Sequence, residues 1–170
     1  MTILSLDLAN SCGYAVYEEN KIIDYGVWDL CKHKRGAPKQ PHIELYELLE
    51  QTTNKYGITH IVLEDVYFPT NDKDGKYKSY NAAKSLLKLH GVVALFCECY
   101  YNMPCHLVGA MEAKRFMFRA TNKMGRDILK KRMIDEVEAL GYTLPERHKD
   151  DVADAIGILC TYLNEKIKSN

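Results

Sequence analysis

An aspartate pair set into an otherwise apolar helix limits this chain more than any other feature. The stretch Lys149-Asp150-Asp151-Val152-Ala153-Asp154-Ala155-Ile156-Gly157-Ile158 reads as a helix start. The helix runs from about Asp150 to Lys166, and its continuation Leu159-Cys160-Thr161-Tyr162-Leu163 is apolar enough to be buried. Asp151 and Asp154 are three apart and share one face. Two like charges held beside a core cost free energy unless they are neutralised, and a cation is the natural partner. Two further acids are equally out of place. Asp7 interrupts the apolar run Ile3-Leu4-Ser5-Leu6-Asp7-Leu8, and Glu64 ends the run Ile61-Val62-Leu63. Four carboxylates at structured positions, all hard oxygen donors, point to a divalent-metal site.

The rest of the chain supplies a frame for them. Thr2–Ala9 reads as a strand, Asn10-Ser11-Cys12-Gly13 as a turn, and Tyr14–Tyr17 as a second strand. After a turn at Glu18-Glu19-Asn20, Lys21–Leu30 reads as a third strand with Gly26 as a possible bulge. Cys31–Pro41 reads as a polar, basic loop. Ile43–Tyr56 has helical periodicity and stops at Gly57. Ile58–Val66 is a buried strand by its continuous apolar run. Phe68–Lys78 is a loop with aromatics at its edges. Asn81–Tyr101 is a long helix in which Gly91 and Ala94 permit close packing, ended by Met103-Pro104. Cys105–Val108 is a short strand. Glu112–Arg119 and Arg126–Leu140 are helices, the second capped by Gly141. The reading is an α/β fold of one domain over 1–170. A five-stranded mixed sheet, a three-strand antiparallel meander plus parallel strands, carries helices on both faces. Parallel neighbours would bring the ends of the Asp7 and Glu64 strands to one crevice, where the last helix can lay Asp151 and Asp154 over them.

Formal net charge is zero, so any basic surface has to come from distribution. Lys114, Arg115, Arg119, Lys123, Arg126, Lys130, Lys131 and Arg132 crowd one segment against a single acid, Asp127. Lys32-His33-Lys34-Arg35 with Lys39 forms a second cluster. The run Lys130-Lys131-Arg132 is either a phosphate-facing or a solvated surface. Asp150 reads as a helix-start acid favoured by the dipole, and His148 as a solvated loop histidine. Cys97-x-Cys99 with Cys105 and His106 reads as buried thiols, because the spacing fits no common structural zinc motif. No apolar stretch is long enough to span a bilayer, and Asp7 and Asn10 fall where a signal peptide would be apolar. A reducing cytoplasm, in a bacterial or phage-infected bacterial cell, fits six free cysteines.

The set Ile3–Val16 with its strand aspartate and Gly13, Val62-Leu63-Glu64-Asp65-Val66, and Asp151-Val152-Ala153-Asp154-Ala155 resembles the RuvC-type Holliday-junction resolvases of the ribonuclease H-like superfamily. The resemblance spans nearly the whole chain and keeps the order of all four acids. It implies that Asp7, Glu64, Asp151 and Asp154 are metal-binding catalytic acids and that Lys114 is a catalytic lysine. Lys123 and Arg126 compete for a second basic catalytic role. Tyr67 matches an aromatic inserted at the junction centre, and Phe68, Lys73, Lys76, Lys78, Lys123 and Arg126 are candidate DNA contacts. It further implies a homodimer joined through the long helix with Gly91, acting on branched DNA without ATP and without a membrane. The zero net charge, the tyrosine-rich second strand and the extended Phe68–Lys78 loop depart from the pattern.

Phosphodiester hydrolysis needs an activated water, in-line geometry and charge relief on the leaving oxygen. Two Mg²⁺ ions about 3.5–4 Å apart, with Mn²⁺ as a substitute, supply all three. Asp7 is expected to bridge them from its central strand, with Glu64 on one side, Asp151 and Asp154 on the other, and Lys114 steadying the reacting phosphate. Two alternatives come from other classes. An actin-like or sugar-kinase-like ATP-binding fragment also opens with a strand aspartate, small residues and Gly13. A non-catalytic junction-binding protein would need no carboxylate site.

Overall fold

The computed structural model describes residues 1–31, 40–66 and 80–169. The strands are β1 (Ile3–Asp7), β2 (Ser11–Glu18), β3 (Lys21–Asp29), β4 (His60–Glu64) and β5 (Cys105–Val108). The helices are α1 (Pro41–Tyr56), α2 (Tyr80–Leu95), α3 (Ala110–Phe118), α4 (Arg126–Ala139) and α5 (Lys149–Ser169). One sheet runs β3-β2-β1-β4-β5. β1, β2 and β3 pair antiparallel, whereas β1–β4 and β4–β5 are parallel. Helices cover both faces, as the sequence predicts.

Strand parity decides what each face receives. Along β1, Leu4 and Leu6 join the core under α1 and α2, and Ile3 joins the core under α3, α4 and α5. Ser5, on the Ile3 face, donates its buried hydroxyl to Ala155 O of α5 at 2.7 Å. Asp7 falls on that same face by the two-residue period. β4 follows suit: Ile61 and Leu63 join the first core and Val62 the second. Glu64 therefore also faces α5. The parallel register pairs Leu6 with Leu63, so Asp7 and Glu64 are the next step at the carboxyl ends of adjacent central strands.

Several local readings change. The second strand begins at Ser11, and Gly13 lies inside it as the partner of Asp7 rather than in a turn. The bulge is not at Gly26. Register slips between Val16 and Tyr17, which pair with Asp24 and Ile22. Gly26 instead makes room for the Tyr14 ring, which would lie 3.2 Å from an added Cβ and stacks on Trp28 at 5.0 Å. The long helix is not uniform: α2 gives way to one π-helical turn, Phe96–Tyr101. It ends at Asn102, which adopts a left-handed φ of 46° before the Met103-Pro104 pair. Among the described residues, nothing lies within 4 Å of a Cβ built on Gly91. Of the thiols expected to be buried, Cys97 is, while Cys99 and Cys105 are exposed. The Gly141 stop stands. Its N–H bonds Glu138 O at 2.9 Å and Tyr142 N–H bonds Val137 O at 3.4 Å, a Schellman closure. Glu19 and Asn20, both at positive φ, make the two-residue hairpin turn between β2 and β3.

At the amino-terminal end of the sheet, His60 and His106 stack with ring centroids 6.2 Å apart, and His106 leans on Tyr162 at 4.8 Å. Burial lowers the pKa of both, helped by the Lys166 charge and, for His60, by His106. A histidine with a depressed folded pKa leaves fewer protons on the folded than on the unfolded chain. Its contribution is full above the ordinary value of 6.5 and is lost as pH falls through the folded value. A His60→Gln/His106→Gln variant should therefore lose less stability than the parent between pH 7 and about pH 5. Urea melts across that range check it, and identical slopes for the two proteins would contradict the assignment.

Candidate active site

A cleft of about 520 Å³ opens where β1 and β4 end. Asp7, Glu64, Asp151 and Asp154 all line it, with Lys114 from α3. α4 adds Arg126, Leu129 and Lys130, and Ala9 and Met124 complete the wall. The acids come from three elements far apart in sequence. The approach of α5 to the sheet is what unites them. Gly13, beside Asp7 in the ladder, permits it: an added Cβ would sit 1.9 Å from the Asp151 carbonyl oxygen and 2.4 Å from its carbon.

The electrostatics are those of crowded acids in a poorly hydrated site. Burial pushes the Asp7 carboxyl well above the usual aspartate range, and the charges of Glu64, Asp154 and Asp151 add to the shift. Burial also raises Glu64, Asp154 and Asp151. The opposing pull on Glu64 and Asp154 comes first from Lys114. Its ammonium lies 3.2 Å from Asp154 Oδ1, with side-chain exposures of 13% and 15%. That contact is an ion pair without hydrogen-bond geometry, and the buried Oδ1 has no hydrogen-bond partner among the described residues. His148, with a left-handed φ of 60°, places Nδ1 3.1 Å from Asp151 Oδ2. It thus touches the site rather than only solvent.

These residues fit a divalent cation. Four crowded acids whose charged forms are all disfavoured, with a single lysine ammonium against Asp154 Oδ1, are what a further cation would satisfy. Among the described residues no three His, Cys, Asp or Glu side chains close into a ready-made cage. The acids instead line an open cleft, which suits an ion such as Mg²⁺ that keeps several of its waters.

Of the two basic residues competing for a second role, Arg126 lines the cleft, while Lys123 is exposed outside its lining. Tyr67, Phe68, Lys73, Lys76 and Lys78, and the Lys32–Arg35 and Lys39 cluster, lie outside the described residues. Sequence reasoning did not single out Lys130. Helical spacing carried the signal: Lys130, Met133 and Val137 follow one stripe, and the latter two are buried. Lys131 and Arg132, its neighbours in the basic run, are exposed. Asp150, read as a helix-start acid, accepts from the Lys130 ammonium.

No protein-family profile matches the sequence, and no curated protein matches it. Solved structures do. The Thermus thermophilus RuvC in complex with Holliday junction substrate matches with a TM-score of 0.69 at 13% identity, over 99% of this chain and 96% of that one. A second Thermus thermophilus RuvC structure matches with a TM-score of 0.62 at 14% identity, over 98% and 97%. A yeast mitochondrial Holliday junction resolvase matches with a TM-score of 0.56 at 20% identity, over 95% and 77%. At these identities the likeness is one of architecture, and this chain has the ribonuclease H-like fold of the RuvC-type resolvases along nearly its whole length.

Proposed function

We propose that this chain is a divalent-metal-dependent endonuclease that cuts branched DNA and resolves four-way junctions. The observation that supports this most is the meeting of Asp7, Glu64, Asp151 and Asp154 in one cleft beside Lys114. It occurs on the fold of a RuvC solved in complex with Holliday junction substrate and of a yeast mitochondrial Holliday junction resolvase. The four carboxylates would hold a pair of Mg²⁺ or Mn²⁺ ions. When bound, such ions supply water activation and charge relief on the leaving oxygen.

The remaining work falls to the chain's own residues. Lys114, only 13% exposed, has little freedom to wander and carries its positive charge to where the phosphoryl oxygens gain charge. Arg126, at the start of α4, is placed to grip a flanking phosphate with its planar fork. His148 orients Asp151 through its 3.1 Å contact. Met124 and Leu129 add apolar surface to the lining of the cleft. Six unpaired thiols accord with cytoplasmic DNA as the substrate.

Two cuts on opposed strands call for two sites. We assign the second to another copy of the chain, docked through α2. There Leu87 and Leu95 are exposed at four-residue steps on either side of Gly91. Incubation of an end-labelled four-way junction and a matched linear duplex, with Mg²⁺ and with EDTA, tests the proposal. Paired nicks in the junction with Mg²⁺ alone are expected. Sedimentation should give about twice the chain mass of 19.5 kDa. Equal inertness of junction and duplex, with and without Mg²⁺, would remove the nuclease reading.

A further inference from the structure

The mouth of the cleft holds a second acid–base pair that the chemistry above does not use. Lys130 of α4 lines the cleft, and its ammonium donates to Asp150 Oδ2. Lys130 is 36% exposed and Asp150 30%, whereas the inner pair Lys114–Asp154 is 13% and 15% exposed. The site is thus tiered, with an inner lysine on an inner acid and an outer lysine on an outer acid.

Asp150 has the wrong sign for a surface that receives DNA. It sits next to Asp151 and adds to that residue's reluctance to ionise. A helix-start acid gains from the dipole wherever it stands in the first turn. The dipole alone does not require this carboxylate to reach across to α4. Its contact with Lys130 does two things. It holds a flexible four-carbon side chain at the cleft mouth, and it neutralises that charge while no phosphate is present.

Resting on the nuclease reading, we infer that Lys130 is a phosphate-binding residue of this cleft and that Asp150 is its exchangeable partner in the DNA-free protein. DNA phosphate displaces the Asp150 carboxylate from Lys130. Every DNA must displace it, so the pair subtracts from binding to any backbone. Asp150 is in this sense a positioning residue, and the cost it adds is the same factor for junction and duplex.

Fluorescence anisotropy in EDTA, with a four-way junction and a linear duplex over a range of salt, tests the inference on the full-length chain. Lys130→Gln should weaken junction binding and reduce the slope of log K against log salt by about 0.9, the share of one phosphate contact. Lys130→Arg should restore the slope. Asp150→Asn should tighten binding to linear duplex by up to about fivefold, the range of an exposed pair. That gain should shrink when Lys130→Gln is also present, because no lysine is left to release. An unchanged salt slope in Lys130→Gln, or an equal Asp150→Asn gain in both backgrounds, overturns the inference. Failure of the unmodified protein to bind any junction would instead count against the nuclease reading on which it rests.

Discussion

An Asp7→Asn protein is expected to lose junction cleavage by at least about a thousandfold, to keep junction binding, and to melt at a higher temperature than the parent in EDTA. The loss follows if Asp7 is the central carboxylate of the cation site, since several kcal/mol of charge stabilisation go with it. The gain in melting temperature follows from the same burial. Asp7 is held among Glu64, Asp154 and Asp151 in a site that already disfavours its charge. Without a cation, its ionised form opposes folding. Its folded pKa is raised, so between the ordinary value of 3.8 and the raised one the folded chain binds more protons than the unfolded chain. Stability of the metal-free protein should fall as pH rises through that window, and Asp7→Asn should flatten the fall. Relief of such a site is worth on the order of 1 kcal/mol, which raises Tm by about 2–4 °C in a chain of this size. Calorimetry in EDTA and cleavage in Mg²⁺ read the two halves. A variant that cuts normally, or one that melts lower at pH 7, would show that Asp7 is an ordinary structural acid.

Gly13→Ala is the second large effect. Its methyl group would lie 1.9 Å from a backbone carbonyl oxygen of α5, not from a side chain that can swing aside. Either the helix start moves or the sheet does. Overpacking of this kind costs about 1–3 kcal/mol and occasionally more. The displaced residue is Asp151 itself, and a misplacement of about 1 Å at a reacting site can cost about a hundredfold in rate. Stability and cleavage should therefore fall together. Gly157→Ala is the control. An added Cβ there meets the Sδ and Cε atoms of Met133 at 2.8 Å and Met117 Cγ at 3.6 Å, all of them side-chain atoms. A thioether end can rotate away, and Ala gains up to about 1 kcal/mol of helix preference over Gly. A Gly13→Ala protein with parental Tm and activity would mean that α5 sits less tightly on the sheet than this geometry has it.

The four acids were legible before any coordinates, for a reason that is energetic rather than statistical. A carboxylate in a run such as Ile3–Leu8, or in the first turns of a helix as apolar as α5, is too costly to stand without a partner. The mixed sheet was legible too, because a hairpin meander followed by alternating helices and apolar runs calls for helices on both faces, whereas the strand order β3-β2-β1-β4-β5 came from the fold. Other features were hidden. Gly13 looked like part of a turn, since nothing nearby in sequence signals a helix pressed against its backbone. The π-helical turn at Phe96–Tyr101 and the slip at Val16/Tyr17 are small adjustments to tertiary packing, with no local punctuation. Lys130 stood in a run of three cations, set apart only by its helical spacing to Met133 and Val137.

By itself the sequence determined which residues could not be left in water-free surroundings alone, and so which ones had to find a charged partner. Strand alternation and helical spacing also determined the face on which each of them stands. Which cation answers which acid was decided only by the fold. Lys114 reaches Asp154 and Lys130 reaches Asp150 because α3 and α4 pack on α5. Ion pairing depends on separations of a few ångströms between side chains many residues apart, and those separations exist only once the helices are docked.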